Sequence, residues 1–194
     1  MPPKGLFTKE EIIAAALELV RTEGAAALTA RGLAARLGCS VKPIFGLFSG
    51  MEQVRQETIA AGYRLYLERL AQAMQTQEYP AYKASGMGYI HFAREERELF
   101  RLLFMRDRTG EEPAAGPETE ELIALIQKST GLSHERAYRL HLESWVFVHG
   151  IATMIATGYL NWEPDFISKA VSDCYLSLRD RLLEEEAHGC DHNK

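Results

Sequence analysis

Histidine, cysteine and acidic side chains are the groups in this sequence that could hold a metal or move a proton, and their spacing excludes most such chemistry. His141, Trp145 and His149 recur every fourth residue and share one helix face. Imidazoles eight residues apart are separated by about 12 Å along a helix axis, too far to share one metal ion. They read as packed core or interface histidines, with a polar ligand contact as the alternative for His149. A di-iron bundle needs two Glu-x-x-His motifs with partner glutamates, and Glu185 to His188 supplies a single one. His188, Cys190 and His192 could capture a metal only adventitiously, without a second shell to orient them. The chain has no G-x-S-x-G elbow, Walker loop or Rossmann glycine pattern. No enzymatic activity, metal or cofactor is therefore expected.

The segment that can do something else is Thr29 to Phe48, TARGLAARLGCSVKPIFGLF. Its spacing is that of a helix-turn-helix. Two short helices that cross steeply need a small residue at the approach, here Ala34, and a flexible turn residue, here Gly38. Leu33, Leu37, Ile44 and Leu47 would lock the angle. That leaves Ser40, Val41, Lys42 and Gly46 facing outward, with the start of the second helix free to enter a major groove. Pro43 falls in its first turn, where a missing amide hydrogen is tolerated. The bland alternative is two amphipathic helices joined at a glycine.

The elements around this segment follow from apolar periodicity, which is helical nearly everywhere. Thr8 and Glu11 form a T-x-x-E capping box before a face of Ile12, Ile13, Ala16, Leu17 and Val20, and Gly24 supplies the stop. Short helices are expected at about 29–37 and from the turn at 38–40 to Leu47. A long helix from Met51 to about Thr76 would join two parts, 1–50 and 51–194. Further helices read as 80–94, 96–106, 118–130, 133–159 and 164–187, making nine in an all-α fold. Arg108 to Pro117 is the clearest loop, and the tail HGCDHNK reads as disordered.

Composition agrees. Hydrophobic residues make up 46% and charged residues 25% of 194, the balance of a globular protein. Residues 1–48 hold six Lys/Arg against four Asp/Glu, net +2, whereas the remainder carries −7. This excludes a uniformly basic surface and leaves a local basic patch. Three scattered cysteines imply a reducing, cytoplasmic setting. Met1 to Gly5 lacks the apolar core of a signal peptide. Trp145 to Leu160 is too short for a membrane span and reads as a buried helix.

The run from T-x-x-E-I-I-x-A-A through G-A-A-A-L-T-A-R-G-L-A-A-R-L-G-C-S to F-G-L-F-S-G-M-E-Q-V resembles the TetR family of transcriptional regulators over about 50 residues. The W-x-x-x-H-G run at Trp145, His149 and Gly150 resembles the sensor subgroup named for Trp-His-Gly. The resemblance implies a homodimer reading a palindromic operator, with a small-molecule pocket in each sensor domain whose filling releases the DNA. Carried over by position, Thr29 and Ser40 are helix-start phosphate contacts and Lys42 a DNA contact. Phe45 stands where the family usually has tyrosine, and Met51 where it usually has lysine. With Arg31, Val41 and Gly46 these residues form the expected DNA surface. Arg36, Lys4 and Lys9 are the other basic candidates.

Aromatic and sulfur side chains are dense after residue 60, and most read as core. Tyr66, Tyr89, Phe92, Phe104, Trp145 and His149 are the candidates for lining a ligand pocket between helices. Gly150 and Gly158 are expected to permit close approach of a helix or ligand. Phe166, Ala170, Val171, Cys174, Leu178 and Leu182 form a stripe on the last helix. By resemblance this stripe and the helix at 133–159 build a four-helix dimer interface; the alternative is that the stripe closes the monomer core. The sequence thus reads as a ligand-responsive DNA-binding regulator, a repressor by resemblance, with a helical small-molecule-binding or assembly protein lacking DNA activity as the alternative.

Overall fold

The computed structural model describes residues 7–107, 109 and 117–191. Lys4, His192, most of the loop expected at 108–117 and the side chain of Cys190 lie outside that description. Among the described residues there are nine α-helices and no strand. They are α1 (Lys9–Glu23), α2 (Ala30–Leu37), α3 (Lys42–Leu47), α4 (Met51–Gln75), α5 (Ala81–Glu95), α6 (Arg97–Phe104), α7 (Pro117–Thr130), α8 (His134–Ala156) and α9 (Pro164–Asp191). By packing the chain forms two compact units, Met1–Arg69 with Glu95–Asp107, and Leu70–Arg94 with Arg108–Lys194. The first unit therefore includes α6 and most of α4 in addition to the three helices before residue 50.

In the first unit α1 begins as its capping box dictates. Glu11 N donates to Thr8 Oγ1 at 3.2 Å and Thr8 N donates to Glu11 Oε2 at 2.8 Å, so two amides that the helix leaves unpaired are satisfied. Ile12, Ile13, Ala16, Leu19 and Val20 are buried. Leu19 takes the place expected of Leu17, which is half-buried. A short 3-10 turn, Ala25–Ala27, follows α1; a run of three alanines carries no turn signal that could have announced it. Helix α1 packs on α2 and α6. Helix α4 comes so close to α6 that a Cβ at Gly62 would meet Leu99 Cδ1 at 2.7 Å, so the absent side chain sets the separation. Arg21 of α1 donates from Nε to Glu96 Oε2 at 2.7 Å and also bonds Glu96 through Nη2. Glu96 lies in the break between α5 and α6 and is 8% exposed.

In the second unit Ile123, Ile126, Leu132, Ala137, Leu140 and Leu182 form one buried cluster, flanked by Tyr82, Tyr175, Leu178 and Leu183. Each buried aliphatic side chain of this kind contributes about 1.5–3 kcal/mol. Helix α8 packs on both α7 and α9. An antiparallel register between α8 and α9 is marked by Arg136–Glu186 at 2.7 Å, Arg139–Glu185 at 3.2 Å and Arg181–Glu143 at 2.5 Å. Helix α9 extends through His188 to Asp191, past the end expected at 187. No helix among the described residues is long and apolar enough to cross a membrane.

Candidate functional site

Thr29 is the N-cap of α2, and its Oγ1 accepts from Gly32 N at 3.0 Å. That bond fixes where α2 starts. Gly38 ends it with φ +66°, a left-handed conformation in which a β-carbon is strained. The chain then turns into α3 through Cys39 and Ser40. Val41 occupies the N-cap with no side-chain bond, and Ser40, the residue before it, is exposed. Pro43 sits in the first turn.

The core of this motif differs from the expected quartet at one place. Leu33 and Ile44 are fully buried and Leu37 is half-buried, but Leu47 is exposed. Phe48 takes its role, one turn after Ile44 on the same side and 3% exposed, its amide donating to Ile44 O at 2.9 Å. Lys9 Nζ lies 5.1 Å over the Phe48 ring and 3.8 Å from Glu57, and Arg36 is 3.9 Å from Glu18. These two cations are therefore engaged within the protein. Arg31, Lys42, Phe45 and Gly46 are exposed, as is Thr29, and Val41 is half-buried. Met51 opens α4 and is half-buried; its place beside the motif carries no charge.

In the second unit α5 and α8 run side by side and are joined by two tyrosine–histidine pairs. Tyr82 Oη is 3.1 Å from His141 Nδ1, and Tyr89 Oη is 2.8 Å from His149 Nδ1. Burial pushes both imidazoles below their ordinary pKa and so favours the neutral ring. A neutral ring protonated at Nε2 accepts at Nδ1 from the tyrosine O–H. For His149 that leaves Nε2–H toward Thr153 Oγ1, 3.5 Å away. Burial also pushes the Tyr82 phenol up, so it remains a donor at neutral pH. Trp145 stacks on His149 with centroids 5.0 Å apart and planes 17° from parallel. The Cys174 thiol is pushed up by burial and then by Glu143, which disfavours a reactive thiolate.

The six pocket candidates divide between the units. Tyr66 and Phe104 meet edge-on at 5.1 Å in the first, beside Tyr63 and Phe100. Tyr89, Trp145 and His149 form a connected set in the second, where Phe92 is also buried. Tyr82 and His141 lie outside the six residues read from the sequence as pocket candidates. Their sequence signal is spacing: Tyr82 and Tyr89 are seven apart and His141 and His149 eight apart, a match of two helix faces.

The stripe on α9 also divides. Leu182 belongs to the buried cluster and Val171 is buried, whereas Ala170, Cys174 and Leu178 are half-buried and Phe166 is 53% exposed. The segment read as a buried helix, Trp145 to Leu160, instead shows Trp145, Val146, Phe147, Met154 and Tyr159 at the surface. With Tyr138 and Leu142, the residues Trp145 and Val146 line an apolar face of α8 at helical spacing. Gly150 lies on that helix, and a Cβ there would meet no atom within 4 Å, so the close approach expected at this glycine is not made within the protomer. Gly158 is equally open; with φ +72° it follows the C-cap of α8. Among the described residues no three His, Cys, Asp or Glu side chains are grouped to hold a metal.

Residues 82–172 match the family described as tetracycline repressor-like, C-terminal domain. No curated protein matches the chain significantly. A solved structure of a protein with unknown function from Rhodococcus sp. RHA1 aligns with a TM-score of 0.67 at 20% identity, over 94% of this chain and 100% of that one. At that identity the likeness is one of fold. The match runs from α5 through α8 into the start of α9, so this part of the chain is similar to a tetracycline repressor-like C-terminal domain, within a fold that is all-helical among the described residues.

Proposed function

We propose that the protein is a homodimeric, cytoplasmic transcriptional regulator that represses by binding a palindromic operator and is released by a small molecule. The observation that carries this reading is the first unit's exposed α3 face. Ile44 and Phe48 anchor α3 from behind, so Lys42, Phe45 and Gly46 are presented outward on a rigid support. A helix held in this way is what a major groove accepts. Thr29, Arg31, Ser40 and Val41 flank it and complete the DNA surface.

The dimer is supported by the apolar face of α8. Val146 is 60% exposed, with Tyr138, Leu142 and Trp145 beside it, and an exposed cluster of this kind is expected to be covered in the working protein. Open space over Gly150 suits close approach of a partner helix. Phe166, Ala170, Cys174 and Leu178 extend the interface along α9, while Val171 and Leu182 support it from within.

The effector reading rests on Tyr89, Phe92, Trp145 and His149, an aromatic set with one polar couple. A flat aromatic or heteroaromatic effector would gain stacking on Trp145 and a hydrogen bond by displacing Tyr89 from His149. The signal then has three covalent routes, α4 at residues 69 and 70, the junction at residues 94 and 95, and the one at residues 107 and 108. At the junction of residues 94 and 95, Arg94 Nη2 donates to the carbonyl of Trp162 in the second unit, while Glu96, two residues on, is held by Arg21 in the first. Effector acts through its differential affinity for the DNA-competent and released states.

Fluorescence anisotropy on duplexes enriched from a random pool tests the reading. Tight binding that discriminates against scrambled duplex and weakens with salt is expected. Failure to enrich any sequence would favour a helical binding or assembly protein without DNA activity.

A further inference from the structure

We infer that Phe45 and Gly46 read a thymine 5-methyl group, so that the operator is chosen by apolar contact more than by hydrogen bonds to base edges; the inference rests on the DNA-binding reading above. The outward face of α3 is chemically sparse. The helix reads KPIFGL, and of these residues Lys42 alone has a side chain that can hydrogen-bond to a base. It lacks the arginine, asparagine and glutamine that recognise guanine or adenine through paired hydrogen bonds. What it presents is the Phe45 ring, 48% exposed, next to a residue with no side chain.

Gly46 is the second observation. It has no positive φ, so its backbone suits any L residue, and a Cβ placed on it would meet nothing within 4 Å. Neither conformation nor packing within the protein requires glycine. In a helix of six residues glycine lowers stability relative to alanine. The residue is explained if its space is filled by something outside the protomer. The space over Gly46 is open, and its chain neighbour is the exposed Phe45.

Charge selects the occupant. Residues 1–48 are net +2 in a chain whose remainder is −7, so this part of the chain suits a polyanion better than a second copy of this acidic protein. Thymine is the base that carries a methyl group into the major groove of duplex DNA. A methyl group seated over Gly46 against Phe45, with Lys42 on the same face for phosphate or guanine, uses these three outward residues of α3 together.

The test replaces each thymine of an operator enriched from a random duplex pool with deoxyuridine, which removes the methyl and keeps the pairing. At the contacted positions affinity is expected to fall about fourfold per methyl, from the free energy of burying one such group. Gly46→Ala is expected to raise the thermal midpoint by about 2–4 °C and to weaken operator binding at the same time. Phe45→Ala should bind thymine and deoxyuridine duplexes equally. An enriched operator that binds equally with deoxyuridine at every position overturns the inference and leaves the DNA-binding reading standing. So does a Gly46→Ala protein with unchanged affinity and an intact methyl preference. No enrichment overturns both.

Discussion

Arg21 and Glu96 form a pair whose two ends are unequally buried, and the inequality predicts which deletion hurts more. The Glu96 side chain is 8% exposed and that of Arg21 is 33% exposed. Arg21→Met leaves a carboxylate out of water without its guanidinium. Breaking a buried pair in this way costs about 3–5 kcal/mol, and the partly open position puts this case near 3. Glu96→Gln leaves instead a guanidinium that reaches solvent and keeps Glu18 as a partner at 2.9 Å. Glutamine still accepts one hydrogen bond, so the loss should be about 1 kcal/mol. Urea unfolding of wild type, both single variants and the double variant gives the four corners of a cycle. The double variant is expected to be more stable than Arg21→Met alone, because removing the Glu96 charge relieves the penalty. A Glu96→Gln protein as unstable as Arg21→Met, or an additive double variant, would refute the reasoning. Because this pair holds the α5–α6 break against α1, both variants should also loosen whatever coupling passes through residues 94 to 96.

Lys42→Ala should weaken operator binding without changing fold or dimer, and if Lys42 meets a phosphate the slope of log affinity against log salt falls by about 0.9; unchanged affinity and slope would remove it from the interface. Leu182→Ala should cost about 2–5 kcal/mol in unfolding, since it empties a fully buried site, and leave the dimer intact. Val146→Glu should do the reverse, giving a monomer by sedimentation with a stable fold, and a variant that remains dimeric would move the interface elsewhere. His141 and His149 have folded-state pKa values held below the ordinary 6.5 by burial, so the unfolded chain binds more protons as acid is added. Their contribution is complete above about pH 6.5 and is lost as pH falls from there toward the depressed values; replacing both with glutamine should flatten the stability profile in that window.

Local signals were readable where their cause is local. Thr8 with Glu11, Thr29 with Gly32 and Gly38 announce helix ends because the bonds and the left-handed turn lie within a few residues. Periodicity likewise gives the buried faces of Ile12, Leu33 and Ile44. What covers a face is not local. Phe166 and Leu182 share one stripe, yet Leu182 meets the cluster of α7 and α8 while Phe166, in the first turn of α9, remains exposed. Leu47 and Phe48 are equally apolar neighbours, and only the crossing of α3 decides which of them is inside. The Arg21–Glu96 pair joins residues 75 apart, a separation at which no spacing rule operates. The same holds for the tyrosine–histidine pairs, 59 and 60 residues apart.

Sparse charge has a consequence for how such a regulator would be switched. Lys9 and Arg36 lie within 4 Å of Glu57 and Glu18, so in the proposed dimer phosphate contacts by each protomer would be few and the electrostatic share of affinity small. Tight binding by such a dimer would then come from apolar base contacts and from engaging two half-sites at once, where the second contact is intramolecular. Avidity of that kind is sensitive to geometry, because it vanishes when both recognition helices cannot seat together. A change in their spacing worth 1–3 kcal/mol of coupling is enough for a 5–150-fold loss of affinity. A regulator with many phosphate contacts would retain nonspecific hold on DNA after such a change. One with the surface of this α3 would leave the DNA, which makes a modest effector in the second unit sufficient.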